Sequence, residues 1–582
     1  MKTIQTLSIF CLSPLLAAQQ ASTAAAFVPA DSSVVLEFAG LEQCRTAWST
    51  HGLGELLNTT LEQLDAEQRS VLFEPWENEI APQLNRLLEE IDLSPATVRG
   101  LLQGPVVLAV GRPTFGGGVL MPSVALVLDV SGATRSAERA VSRLEAVVPQ
   151  IGRGRGSVEH ETVAGVDTRV VHPGEPGVGD FFLGATSGRL ILSNSRGYFR
   201  ACVSVIERQA PSAASTPAYA AARRQLPGDP LGSVWINTGP LMATLQPFLP
   251  YEADEIGELL GVGGLHGVYL AAGTDGASGT EVLHIALPGE QTGLFRAGFS
   301  GSVNLDVTKY CDPETLAFLA LKVDPAAFYQ ALTALVDQLP QWVPEEGRRE
   351  ITRAVAEIEQ AAGQLMILSG DIAVAANAQR LVPIPEITAF IGLADTEGAD
   401  GHLRELLAQI SEGDVSSQSF MDTEIFTVPV QIEQVNLAPS FAIHDGMLIV
   451  STFPQVLKSV LRRGGKQARQ FSQHPAMGGI QAQAGDSNGV LYFGAGEIAS
   501  LLLDTPLQQQ LRVEIQRLDI NPDVVPEPED MASALGSLLV SLRVDEEGLT
   551  VTSRSAAGQG TALALAGYLV DRALRYLIDK DV

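Results

Sequence analysis

The 582-residue chain carries 38 Lys and Arg against 67 Asp and Glu, a formal charge of −29. Charged residues are only 18% and hydrophobic ones 46%, which excludes a disordered acidic tail and implies a large core, in a chain long enough for several domains. So acidic a surface repels phosphates and anionic headgroups, and the one basic knot, Arg462-Arg463-Gly464-Gly465-Lys466, reads as the end of a helix, so nucleic acid is excluded as a partner.

The chain opens Met1-Lys2, runs through an apolar stretch over 7–18 and turns small and polar up to Ala26. A charged start, a short apolar core and a small-residue tract read as a signal peptide, residues 1–26. Ala24-Ala25-Ala26 fits the small-x-small cleavage rule best, and a cut after Ala18 is the alternative. No later apolar run approaches the roughly 20 residues that a membrane span needs. The longest, 561–570, meets Asp571 and Arg572 at once. The expectation is a periplasmic or secreted protein with no transmembrane segment in the mature chain. Past Cys11 only Cys44, Cys202 and Cys311 remain, too few and too scattered for a disulfide framework. They read as buried free thiols.

In chain order, 33–38, 106–110 and 123–128 have the composition of strands, and 79–91 and 134–148 place apolar residues at helical spacing. Strands at 268–272 and 281–286 flank the turn Gly273-Thr-Asp-Gly276, a hairpin signal. Further on, 326–339 and 345–361 read as helices, 538–544 and 549–553 as a second hairpin, and 563–577 as an apolar C-terminal helix that packs on its own module. Adjacent hairpins require antiparallel pairing, so the expected class is α+β, with mainly antiparallel sheets covered by helices.

Internal self-similarity is the most specific signal. Gly188-Arg-Leu-Ile-Leu-Ser193 recurs as Gly446-Met-Leu-Ile-Val-Ser451, and Gly232-Ser-Val-Trp-Ile-Asn-Thr-Gly239 as Gly489-Val-Leu-Tyr-Phe-Gly-Ala-Gly496. Looser echoes in the same order extend to Pro29 with Pro313, Gly104 with Gly370, and Gly267 with Ser537. The reading is two homologous modules, 27–290 and 300–582, joined by a linker at 291–299 and packed face to face.

Reactive clusters are missing from the sequence pattern. No two of the eight histidines lie three or four residues apart, as a helical metal pair would. The glycine-rich stretches 111–118 and 261–267 lack the lysine ending or the following helix of a phosphate loop. Asp519, Asn521 and Asp523, with Glu527 and Asp530 beyond, form a weak calcium candidate. Val524 stands where the turn wants glycine, Asp530 replaces the usual glutamate, and an acidic turn explains the same residues. No other cofactor is expected, and paired carboxylates such as Glu89-Glu90 read as solvated helix faces.

Pro29-Ala-Asp31-Ser-Ser-Val-Val and the two strands Ser187-Gly-Arg-Leu-Ile-Leu-Ser193 and Asp445-Gly-Met-Leu-Ile-Val-Ser451 resemble an uncharacterised family of exported bacterial proteins with duplicated modules. The resemblance implies secretion and duplication, and supplies no activity or catalytic residues. The leading expectation is therefore a non-catalytic binding or scaffolding protein of the cell envelope, with a protein partner. A hydrolase assembled from scattered residues around His160, His172 or His444 is the rival reading. A self-assembling structural subunit is the third.

Overall fold

The structure, a computed structural model, describes residues 23–580 apart from internal stretches, the longest of which are 69–80, 148–155, 246–263, 289–297, 356–366, 378–384 and 518–525. The described residues form an α+β fold built on one antiparallel sheet of 20 strands. In chain order the first ten are β1 (Val34–Phe38), β2 (Val106–Val110), β3 (Val124–Asp129), β4 (Ser157–Val163), β5 (Val166–His172), β6 (Phe181–Thr186), β7 (Arg189–Ser193), β8 (Pro230–Asn237), β9 (Gly267–Asp275) and β10 (Ser278–Ala286). The next ten are β11 (Ala317–Lys322), β12 (Leu368–Asn377), β13 (Glu386–Leu393), β14 (Ser416–Phe420), β15 (Thr423–Thr427), β16 (Ser440–His444), β17 (Met447–Ser451), β18 (Gly489–Phe493), β19 (Leu538–Asp545) and β20 (Gly548–Ser555).

Side by side, the first set runs β4-β5-β6-β7-β3-β2-β1-β8-β9-β10. The second runs β14-β15-β16-β17-β13-β12-β11-β18-β19-β20, the same order. The two halves meet where β10 pairs with β20, from Gly279 opposite Ser555 to Ala286 opposite Gly548. They lie edge to edge, not face to face as expected from the sequence. The last strand of each half would otherwise present a bare row of N–H and C=O groups, and pairing the two strands satisfies both.

The repeated turns are built alike. Ser187-Gly188 (φ 47° and 73°) and Asp445-Gly446 (φ 46° and 73°) are both left-handed, as a two-residue hairpin turn requires. The β4–β5 and β14–β15 hairpins repeat this with Ala164-Gly165 and Met421-Asp422, all four at positive φ.

One face of the sheet is sealed by helices. Val35, Val107, Val127, Ile191, Trp235 and Tyr269 are at most 1% exposed beneath Phe199 and Cys202 of helix Arg196–Ile206 and Tyr219 and Ala222 of helix Pro217–Arg224. In the second half Phe318, Phe390, Ile449 and Tyr492 lie under Leu457 of helix Pro454–Gly464 and Ile480 of helix Met477–Ala484. The turn Ala24–Phe27 belongs to the first core: Ala24 and Ala25 are buried, and the Ala25 N–H donates to Glu37 Oε2 at 2.9 Å. Glu37 Oε1 also accepts from the Tyr219 hydroxyl and, at 3.1 Å, from Ser233.

Helix Gln559–Lys580 corrects a second expectation, because it packs on the first half and not on its own. Ala564, Leu574 and Leu577 pack against Leu41, Cys44 and Trp48 of helix Leu41–Thr50. Gly567 permits the contact, since a Cβ there would sit 2.3 Å from Cys44 Cβ. His51 stitches the same junction: its Nδ1 accepts from the Leu53 N–H at 3.2 Å, which leaves the proton on Nε2 to donate to Thr561 Oγ1 at 2.9 Å. Asp571, almost wholly buried, accepts from Arg99 Nε at 2.7 Å and from Arg575 Nε at 2.8 Å. Asp571→Ala strands the Arg99 charge and is expected to cost about 3 kcal/mol, the low end for a broken buried pair because Arg99 keeps some exposure. Gly567→Val is expected to cost about 2 kcal/mol through overpacking. Urea unfolding of both variants checks these values, and unchanged midpoints would contradict the docking.

Candidate functional site

Alternation along the strands sends every second side chain to the face opposite the sealed one. There, directly opposed residues form an aliphatic row: Leu192, Leu126, Leu108, Leu36, Val234, Leu270 and Leu283. The row crosses the junction to Val551 and Leu542, passes Gly489, and continues through Leu321, Ile372, Ile391 and Leu448. At roughly 4.8 Å per strand it spans about 60 Å, but helices cover its ends. Leu126 and Leu192 pack with Ala137 and Val141 of helix Thr134–Val147, and Leu448 packs with Leu403 and Leu407 of helix Thr396–Ile410. Leu36 and Leu108 are each 38% exposed and Leu270 45%, whereas their neighbours Val35, Val107 and Tyr269 are fully buried on the other face. Ile387 and Phe493, on the open face of the second half, are 40% and 39% exposed. Leu36 and Leu108 oppose each other directly, and adjoining exposed leucines are less ordinary than isolated ones.

A pocket of about 520 Å³ in the second half gathers His474, Glu497 and Ser500 beside Pro313–Leu316. His474 Nδ1 accepts from the Ala476 N–H at 3.2 Å, so the neutral ring carries its proton on Nε2, which faces Glu497 Oε1 at 3.9 Å. Burial holds the ring's pKa below its ordinary value, with a smaller opposing pull from Glu497. The Tyr492 hydroxyl donates to the same carboxylate oxygen at 3.3 Å, and burial pushes that phenol well above its ordinary value. Glu497 thus accepts from Tyr492, while His474 Nε2 lies 3.9 Å away, beyond hydrogen-bond distance. The 23-position separation of His474 and Glu497 hides their proximity from any local pattern.

The histidines weighed for a hydrolase are not brought together. His160 and His172 lie on β4 and β5 of the first half, His172 with Nδ1 2.7 Å from Asp180, while His444 lies on β16 of the second with Nδ1 3.0 Å from Thr423 Oγ1. Cys44, Cys202 and Cys311 are free and buried, and burial pushes each thiol up to about 12, far from a reactive thiolate. Of the calcium candidates, Asp519, Asn521 and Asp523 lie outside the described residues. Glu527 accepts from Arg512 at 3.2 Å and precedes helix Pro528–Leu535, whose first turn holds Asp530. Among the described residues no group of three or more His, Cys, Asp or Glu side chains is arranged to hold a metal ion, and no helix is long and apolar enough to cross a membrane. The glycine-rich stretch at 111–118 enters a small hairpin, Thr114–Gly116 with Val119–Met121, and Gly267 opens β9. Neither leads into a helix N-terminus.

Compared with known protein families, curated proteins and solved structures, the chain matches none of them significantly.

The buried histidines give the fold a pH dependence of definite sign. Burial holds His51, His284 and His474 below their ordinary 6.5, while the unfolded chain protonates near that value. Below about pH 6.5 the unfolded state therefore binds more protons, so stability is complete above that pH and is lost as pH falls toward the folded values. The urea midpoint is expected to drop between about pH 7 and about pH 5, and His284→Gln should make that slope shallower. A midpoint that does not move over this range contradicts the assignment.

Proposed function

We propose that this is an exported, non-catalytic binding protein of the cell envelope that takes up the aliphatic chain of an apolar ligand on its open sheet face. The observation that carries the reading is the aliphatic row, exposed at Leu36, Leu108 and Leu270, in a protein whose opposite face is sealed. The row is leucine, valine and isoleucine, without the Tyr, Trp and Arg anchors that dominate protein–protein hot spots. A charge of −29 also opposes a second copy of the same chain and an anionic membrane surface. Together these favour a neutral apolar chain over a protein partner. Binding of Nile red, a neutral apolar probe, should weaken about tenfold or more in Leu36→Lys and Leu270→Lys, with the unfolding midpoint little changed. Equal binding by both variants would remove the face from consideration, and a dimer dissociated by the same changes would replace the ligand with a second copy.

The matching strand orders support an origin of the two halves by duplication of one module, as the repeated sequence segments led us to expect. Export fits the N-terminal signal pattern, and the place of cleavage bears on the fold. A chain starting at Phe27 would lose the buried Ala24 and Ala25 and the bond from Ala25 to Glu37, whereas one starting after Ala18 keeps them. N-terminal sequencing of the secreted protein should find a start upstream of Thr23. A start at Phe27 in a stably folded product would contradict this.

A further inference from the structure

The sealed face is not apolar throughout. Where β10, β20 and β19 meet, the side chains pointing toward the helices are Thr280, Thr550, Thr552, Ser541, Arg543 and Arg554. This polar strip separates the two helix-covered cores, because helix Pro217–Arg224 of the first half and helix Met477–Ala484 of the second stop short of each other above it. Between them lies a cleft of about 330 Å³, floored by the strip and walled by Gln225 on one side and Gln483 and Ser487 on the other. Its size is at the small end of the roughly 300–1,000 Å³ of small-molecule sites.

We propose that this cleft binds a small neutral polyhydroxyl molecule, of the size of one sugar ring or a short polyol. Thr280, 1% exposed, and Gln483 each keep a buried side-chain oxygen without a hydrogen-bond partner, Oγ1 and Oε1. Four residues beyond Thr280 on the same strand, His284 is fully buried, its Nδ1 2.9 Å from Thr550 Oγ1 and its Nε2 without a partner. Buried polar atoms of this kind are costly to leave unpaired. The glutamine oxygen needs a donor, and the threonine hydroxyl can give or take, so the complementary ligand must at least donate. A hydroxyl does so, and an oxyanion cannot donate.

Charge points the same way. Arg543 Nε lies 2.8 Å from Asp545 Oδ2, and the same guanidinium donates to Gln225. Arg554 donates to Asp275. Both cations are thus already matched, and Asp486 adds a negative charge to the lining. An anion would find no unmatched positive charge there, in a protein that is acidic overall. An apolar ligand would leave the hydroxyls and amides unpaired. This inference is independent of the open-face reading, since the two sites lie on opposite faces of the sheet.

The test is a calorimetric titration of the full-length mature protein with D-glucose, N-acetyl-D-glucosamine and myo-inositol, alongside D-gluconate and inorganic phosphate as anionic controls. At least one neutral probe should bind. Thr280→Val and Gln483→Leu should each weaken it about tenfold, the worth of one hydrogen bond to a ligand, without lowering the unfolding midpoint. Thr552→Val, at a less buried position of the same floor, should weaken it too and guards against misfolding of the first two. Binding of none of the neutral probes, tighter binding of either anion, or unchanged affinity in all three variants overturns the proposal.

Discussion

The pairing of β10 with β20 is the constraint on which the rest of the molecule depends. Eight residues of each strand are in register, from Gly279 with Ser555 to Ala286 with Gly548. That pairing turns two ten-stranded halves into one sheet. It carries the aliphatic row across from Leu283 to Val551, and it sets the polar strip of Thr280, Thr550 and Thr552 between the two helical layers. It also aims the chain after β20 back at the first half. Glu281 of β10 accepts from Ser553 and, at 3.4 Å, from the Gly560 N–H, placing a carboxylate at the N-terminus of the last helix, where the helix dipole favours it.

From there the last helix acts as a strap. It leaves the second half, crosses the junction and buries Ala564, Leu574 and Leu577 against the first, with Asp571 held between Arg99 and Arg575. Glu547, in the turn between β19 and β20, adds a polar clasp at the other end of the paired strands. It accepts from Gln225 at 2.8 Å and Arg224 at 3.2 Å. The halves are therefore joined by backbone pairing in the sheet, by a helix at one end and by side-chain hydrogen bonds at the other. Separating them would expose apolar and polar groups together, so the assembly is expected to unfold as one unit.

Much of this architecture is legible in the sequence because it rests on local rules. Dipeptides such as Ser187-Gly188 and Asp445-Gly446 mark turns at positive φ, and the hairpins at 538–555 and 267–286 follow from strand composition around short turns. The turn of the earlier hairpin falls two residues later than the glycines at 273–276 led us to expect, since β9 extends to Asp275. Edge-to-edge joining was not legible: the free edge of β10 exists only once its half is folded, and no residue in it announces a partner 270 positions away. The same holds for the last helix, whose apolar stripe fits any complementary groove. Sequence spacing also cannot reveal that His474 meets Glu497, or that Thr280 and Gln483 face one cleft. The alternation that exposes Leu36, Leu108 and Leu270 can be read strand by strand, but the row exists only through register.

Hydrogen–deuterium exchange of the full chain, followed by mass spectrometry of peptides covering 279–286 and 548–555, tests the junction most directly. Amides of both strands should be protected as strongly as those of β1 and β11 in the middle of each half, because both strands are interior to one sheet. Rapid exchange of both peptides while β1 and β11 stay protected would mean that the halves fold separately, with β10 and β20 as open edges, and would contradict the account.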